Sequence, residues 1–464
     1  MDLHLRALGD TQPTCFWLDQ ADRPPACAGL EDDDESDLVI VGGGFTGLWA
    51  ALHAKEADPE RDIVLIEADR IAQGASGRNG GFADPSLTHG LPNGLAHFPH
   101  EIETLHALDL ENYREFFKTI AGYGIDARSE ETGIIDVATA QYQLEDLREY
   151  ESLLNRFGEN ARFLDAEAVR SELNSPTYMG GVFRPRGSIL DPARLAWGLL
   201  AVVRGLGVRV YEQTPMRGIS RRGGAIEVRT PGGNIRARKC LLATNAFKSP
   251  VRRMQRRTVP IWDYVLMTEP LGTGQLDALG WRNRQGLGDE ANQFHYYRLT
   301  SDNRILWGGY DAIYHFGSRI LVDHEQRTAS FEGLAQRFFQ TFPQLEGLRF
   351  SHRWGGPIAS TTRFCMDVGT SHGGRVSWAA GYTGLGVVAS RFGGRMALNL
   401  LDHPESPELK LKFVRDRPFP WPPEPLRSLV IQLTQSELAR ADRNQGRRGP
   451  WLRLLDRLGL GFNS

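Results

Sequence analysis

Three glycines carry the clearest chemistry in this sequence. Gly42-x-Gly44-x-x-Gly47 follows an apolar run at residues 37–41 and opens a helical stretch that begins at Leu48. A strand, a glycine turn and a helix in that order are what a pyrophosphate cradle requires. Gly42 permits the tight turn, Gly44 lets the backbone approach a phosphate, and Gly47 lets the helix pack on the strand. Phe45 and Thr46 then sit at the helix N-terminus, whose free N–H groups and positive dipole end attract an anion. The next strand, residues 61–67, ends at Glu67-Ala68, with Glu67 lying 25 positions past Gly42. A carboxylate there accepts the ribose hydroxyls of an adenosine and repels a 2′-phosphate. A second run of small residues, 74–81, brings Ser76, Asn79 and Gly80 close behind. Two such runs so near each other suit a backbone threading along an extended flavin dinucleotide. Only one complete fingerprint is present, so no separate nicotinamide domain is expected and the substrate itself must reduce the flavin.

A second turn of the same kind lies near the other end of the chain. An apolar strand at 375–380 runs into Gly381-Tyr382-Thr383-Gly384-Leu385-Gly386 and a helix to about residue 401. A helix N-terminus aimed at a flavin stabilises the negative charge that develops on the reduced ring. Gly381, Thr383 and Gly384 are candidate backbone contacts, and Tyr382 a candidate neighbour of the ring. Between the two turns, residues 294–298 read as a strand. Phe294, Tyr296 and Arg298 share one face, and His295 and Tyr297 the other. Aromatic residues on such a face can box an amine by packing and cation–π contact. His295 alone reads as a structural residue.

These elements need a large scaffold, and the chain of 464 residues supplies one with room for two packed lobes. Net charge is −3 with basic residues dispersed, which argues against nucleic acid as a partner. Four scattered cysteines without a C-x-x-C pair argue against a zinc site or redox dithiol and fit a reducing compartment. No basic-then-apolar signal peptide opens the sequence, and no apolar run reaches the ~20 residues of a membrane span. A cytoplasmic protein is expected; the oligomeric state is left open. Residues 1–36, with an acidic run at 31–35, read as a surface leader. Helical periodicity dominates 101–172, strands dominate 206–243 and 261–311, and a Pro-rich break at 418–425 precedes an amphipathic helical tail.

The segments at 37–48, 66–68 and 74–81 together resemble the D-amino acid oxidase superfamily of FAD-dependent oxidoreductases, in the branch of gamma-glutamylputrescine oxidase and aminophosphonate oxidoreductases. Residues 191–195, 242–246, 267–270, 296–298 and 381–386 fit the same pattern, and the resemblance spans roughly 14–402. It implies an α/β (α+β overall) fold: a doubly wound, discontinuous FAD-binding Rossmann-type domain at 37–95, 160–250 and 350–405. A mixed-sheet substrate domain at 96–159 and 251–349 would cap the flavin, with 1–36 as leader and 406–464 as tail. It further implies Met216 beside the adenine, Thr244 among the cofactor contacts, and Tyr296, Tyr382 and Trp307 near the reacting centre.

Two departures from the family pattern shape the expected chemistry. Trp354 stands where related oxidases place an arginine that clamps a substrate carboxylate. Trp307 stands where one branch has an oxygen-activating lysine. Cys365 falls about ten residues beyond that branch's flavin-linking cysteine, so FAD is expected to be non-covalent. The resemblance implies oxidation of a small amine to an imine, with oxygen or another acceptor taking the electrons. Arg298 or Arg363 would meet a remote anionic group on the substrate. A flavin dehydrogenase of a hydroxy compound and a non-catalytic flavin-binding assembly protein are the alternatives.

Overall fold

Leu38, Val39, Ile40 and the four residues Ile63–Ile66 are all buried. A strand apolar on both sides belongs inside a parallel sheet covered on both faces, and that is where the structure, a computed structural model describing residues 3–309 and 311–460, places them. The first sheet has eight strands. Asp34–Val41 lies at its centre, parallel to Ile63–Ile66 on one side and Asn234–Leu242 on the other. Chain order therefore reverses beside the end of Asp34–Val41. A crevice opens outside the strand ends at such a switch point, and Gly42 and Gly44 sit in it. Helix Phe45–Ala57 packs against Gly386–Asp402, the helix that follows the second glycine turn.

The second sheet also has eight strands, running Phe350–Ser360, Val259–Thr268, Ile305–Gly309, His295–Leu299, Gly286–Asp289, Ile134–Ala138, Gly180–Arg184 and Arg162–Asp165. Its pairs are antiparallel except Gly286–Asp289 with Ile134–Ala138. One face is closed by helix Thr328–Thr341 through Phe331, Leu334 and Phe338. The other face looks toward the first lobe. The mixed α/β architecture matches the expected class.

Several expectations at the boundaries do not hold. Strands Arg162–Asp165, Gly180–Arg184 and Phe350–Ser360 pair into the second sheet, although 160–250 and 350–405 were assigned to the dinucleotide-binding lobe. Strands Gly218–Arg222 and Gly286–Asp289 were not foreseen. The leader, described from residue 3, does not simply lie on the surface: Leu8, Cys15, Trp17, Leu18 and Leu30 are buried. The Trp17 indole N–H donates to the Asn79 carbonyl at 3.0 Å, and the Gln20 amide donates to Asp191 at 2.7 Å. The acidic run only hides how apolar the residues before it are. The tail forms helices Leu426–Arg443 and Pro450–Arg457, as its periodicity predicts.

Truncating Trp17 tests whether this segment belongs to the core. The side chain is 2 % exposed, so Trp17→Ala should lower the unfolding free energy by roughly 3–5 kcal/mol. The shift is read from urea midpoints; an unchanged midpoint would return the segment to the surface.

Candidate functional site

Between the two lobes runs one continuous cavity of about 1780 Å³. That exceeds the ~300–1,000 Å³ of an ordinary small-molecule pocket and leaves room for a large cofactor together with a substrate. At one end the first glycine turn forms its wall. Gly42 has φ +116°, and an added Cβ there would meet the Ala243 carbonyl oxygen at 2.5 Å. At Gly44 a Cβ would meet Ser76 Oγ at 2.8 Å, so neither position has room for a side chain. Phe45 N–H donates to that Ser76 Oγ. Thr46 and Ala68 line the wall beside them. Gly47 does not line it: a Cβ there would fall on the Gly42 carbonyl, so its role is helix-to-turn packing.

Glu67 lies farther along, with its two carboxylate oxygens accepting from the N–H groups of Gly43 at 2.6 Å and Asp69 at 3.0 Å. Burial raises its pKa, and these amides oppose the rise. Met216 and Thr244 complete this end. The Thr244 hydroxyl is buried without a hydrogen-bond partner, a polar atom left open toward the cavity. Asn79 also lines the wall, but its amide is spent on the carbonyls of Ala75 and Ser76, and its oxygen accepts from Gly81 N–H. It shapes the loop that presents Gly80. Open glycine turns, an anchored carboxylate and an unsatisfied hydroxyl fit an adenine dinucleotide stretched along this wall.

The second glycine turn faces the first. Tyr382, Thr383 and Gly384 line the cavity; Gly381, at φ +84°, is set back and donates to Asn245. The Tyr382 hydroxyl is bonded to Thr46 Oγ1 at 2.8 Å. It ties the two turns together and is not free for a substrate.

The second sheet supplies the opposite wall. Register places Asp136, Gly288, Tyr296, Gly308, Val265 and Trp354 in one row across six strands. The Tyr296 ring packs against Gly80, where a Cβ would lie 2.7 Å from it, and its hydroxyl donates to Asp263 at 2.8 Å. Burial pushes Asp263 up to about 6 in spite of that bond. No sequence signal singled Asp263 out, because one acid among apolar strand residues shows its face only when the register is known.

Three expected residues are elsewhere. Trp307 alternates with Gly308 and so points into the opposite core, stacked on His295 with ring centroids 5.0 Å apart. Arg298 is buried, donating to the carbonyls of Leu190 and Gly81. Arg363 is likewise spent on the carbonyls of Met366, Phe413 and Asp416. Neither arginine lines the cavity. Arg353 packs on Phe331 and donates to Gln326, on the far side of the sheet from Trp354. Cys365 is buried off the cavity with its thiol pushed up to about 12. The tail, by contrast, reaches the site: Phe419, Trp421, Ile431, Leu438 and Trp451 all line the cavity.

Comparison with known proteins agrees with this geometry. The chain is 32% identical over 378 residues to gamma-glutamylputrescine oxidoreductase of Escherichia coli, covering 80% of this chain and 85% of that one. A probable oxidoreductase of Haemophilus influenzae is 28% identical, with 82% and 86% covered. Among solved structures, glycine oxidase of Geobacillus kaustophilus superposes with a TM-score of 0.70 at 20% identity, covering 83% of this chain and all of that one. Iminodiacetate oxidase of Chelativorans superposes at 0.66 and 17% identity, with 82% and 98% covered. A family model described as DAO, FAD-dependent oxidoreductase, matches residues 37–400. The glycine turn, the Glu67 anchor and the second turn that faces them all fall within that match, and the chain belongs to the DAO family of FAD-dependent oxidoreductases, with FAD as its cofactor.

Proposed function

We propose that this protein oxidises a small amine at its carbon–nitrogen bond, giving an imine that water then hydrolyses. The observation that carries the reading is the Tyr296–Asp263 pair, which stands in the cavity against the Gly80 backbone. Bound FAD supplies the acceptor for two electrons and a hydrogen from the substrate carbon. The residues of the chain do the rest. The backbone of 42–44 and the N-terminus of helix Phe45–Ala57 would hold the pyrophosphate, and Glu67 would hold the ribose. The helix that begins at Gly386 would offer its positive end to the ring. Tyr296 and Trp354 form an apolar wall that excludes water and orients the alkyl chain. Asp263, as a carboxylate, holds the substrate nitrogen by a charge-assisted hydrogen bond and takes the proton an ammonium must lose before its carbon can be oxidised. Electrons leave to oxygen or another acceptor. The amine named in the Escherichia coli relative supports this class of substrate. The four cysteines are free, which fits a reducing compartment such as the cytoplasm. Among the described residues no helix is long and apolar enough to cross a membrane. Cys365, off the cavity, supports FAD held without a covalent link.

Two experiments test this. Gly44→Val should abolish FAD binding, because its side chain would push out Ser76, whose hydroxyl caps Phe45 N–H where the pyrophosphate would lie. Glu67→Gln should only weaken binding, since Gln keeps one acceptor. Flavin absorbance of the purified proteins decides, and full occupancy in Gly44→Val would refute the cradle. The wild-type flavin should leave the protein on acid precipitation. The second experiment follows anaerobic flavin reduction against pH. The Asp263 pKa is raised to about 6, so its carboxylate form fills as pH rises through that value. The reduction rate should climb across the same window. Asp263→Asn should be slower by roughly a hundredfold and lose that limb. An unchanged limb in the variant would remove Asp263 from the chemistry.

A further inference from the structure

The row of residues that carries Tyr296 runs past Gly288 to Asp136 and on to Val182. The two side chains stand on one face of the sheet, two strand spacings or roughly 10 Å apart. Gly288 leaves open space between them: a Cβ there would meet nothing closer than the His295 carbonyl at 3.9 Å. Beyond Asp136 the cavity turns strongly acidic. Arg184 is shared between Asp84 and Asp136, at 2.9 and 2.7 Å. Arg186 and His106 are both held by Glu159, and Asp289 holds His295. Glu290, Asp146 and Asp109 line the same end, and among the described residues no basic side chain forms an ion pair with them. Asp109 is 6 % exposed, and its Oδ1 has no hydrogen-bond partner. Burial and the neighbouring acids push Glu290 up to about 8, and Asp109 is raised well above the usual carboxylate range by burial.

A buried carboxyl oxygen without a donor is a costly arrangement. Seven acidic groups around two arginines are more costly still. A cation entering this end would supply the missing donor and take the place of the protons that burial and neighbouring acids keep on these carboxyls. An anion would meet the opposite, and the arginines that could have greeted one are already paired. The notion of a substrate with a remote anionic group therefore does not suit this cavity.

We infer that the acidic end, at Asp109, Asp136, Asp146 and Glu290, is a second-cation subsite that selects amines carrying a distal ammonium group. The inference rests on the amine-oxidation reading above, with the reacting nitrogen beside Tyr296 and Asp263. Asp263, beside which the reacting nitrogen sits, lies four strand spacings from Asp136, roughly 19 Å at the backbone, so the subsite suits a long α,ω-diamine, of about ten carbons or more once both carboxylates lean inward. Nothing is oxidised at the distal nitrogen; it is bound as a cation and released as one.

The test compares, at each chain length from about six to about twelve carbons, three compounds that share one reacting end: the n-alkylamine, the α,ω-diamine and the ω-amino acid. Anaerobic flavin reduction by the holoenzyme gives the concentration at which each saturates. From about ten carbons upward the diamine should saturate at a concentration at least about tenfold lower than the monoamine, as a charge-assisted pair supplies, and the amino acid at a higher one. Asp109→Asn combined with Glu290→Gln should shrink the ratio of diamine to monoamine to about threefold or less, at unchanged FAD content. Equal saturation by monoamine and diamine at every length in the wild type would overturn the subsite, as would a ratio that survives the double variant. Thermal stabilisation of the oxidised holoenzyme under argon separates this from failure of the parent reading. Stabilisation by the diamine alone, with no flavin reduced by any compound, would keep the cation subsite and overturn amine oxidation. Reduction by all three compounds without preference would do the reverse.

Discussion

The contact between the Gly42 carbonyl and Gly47 sets the geometry on which the site depends. Helix Phe45–Ala57 comes so close to the preceding turn that a single methyl group at Gly47 would overlap the Gly42 oxygen. That closeness aims the helix N-terminus into the crevice beside the central strand, where the order of neighbouring strands reverses. The Thr46–Tyr382 hydrogen bond then fixes the second glycine turn against the first. Two helix N-termini therefore converge on one cavity, and helix Gly386–Asp402 packs on helix Phe45–Ala57 to keep them converged. At Gly394 a Cβ would meet the Thr46 carbonyl at 2.9 Å, so this second contact is also made at backbone distance. Both helix N-termini face the cavity, where their positive ends attract an anionic cofactor, although Ser76 Oγ already accepts from Phe45 N–H at the first of them.

The opposite wall follows from alternation along strands. In Ile305–Gly309, Gly308 lies under the Tyr296 ring while Trp307 enters the other core with Phe338 and Phe342. The same rule turns Trp354 toward the cavity and Arg353 away from it. Shifting either strand by one residue would exchange an aromatic wall for a charged or open one. The register is held by the buried faces: Tyr264, Leu266 and Trp307 all pack into the core that helix Thr328–Thr341 closes.

What the sequence made legible is local chemistry with a fixed spacing. The Gly42–Gly47 turn, Glu67, the run at 74–81 and the turn at 381–386 need only a few neighbouring residues to be recognised, and the fold brings them to one cavity, with Gly47 and Gly381 set back from its wall. Tyr296 was found by alternation within its own strand. Trp307 was misplaced because its face depends on pairing with a strand distant in sequence. Arg298 and Arg363 looked like free cations, but each is spent on backbone carbonyls that no local pattern reveals. Asp263, Asp136 and Asp109 come from separate elements and meet only in the folded chain. The burial of residues 1–36 escaped notice because charged residues at 31–35 dominate their composition, while Trp17 and Leu18 do the packing.

The tail shows how far the shape of a site can depend on residues outside its core. Helix Leu426–Arg443 buries only Ser428, Ile431 and Ala441. An isolated helix of that length and polarity is marginal in water, so its position must come from anchors. Both ends have them. Before the helix, Glu424 accepts from the Tyr314 hydroxyl at 2.5 Å and from Gly317 N–H at 2.8 Å. Near its end, Asp442 accepts from the backbone N–H groups of Asn292 and Gln293. Those two residues directly follow Glu290 and Ala291 on the cavity wall, so the loop that presents the acidic end is held from above by the tail. Trp451 closes over the helix through a bond to Thr434. The segment lies beyond the residues 37–400 that define the family match, yet Phe419, Trp421, Ile431 and Trp451 form part of the cavity wall. The cavity therefore takes part of its lining from outside the matched core, and that lining is held in place by the anchors at Glu424 and Asp442.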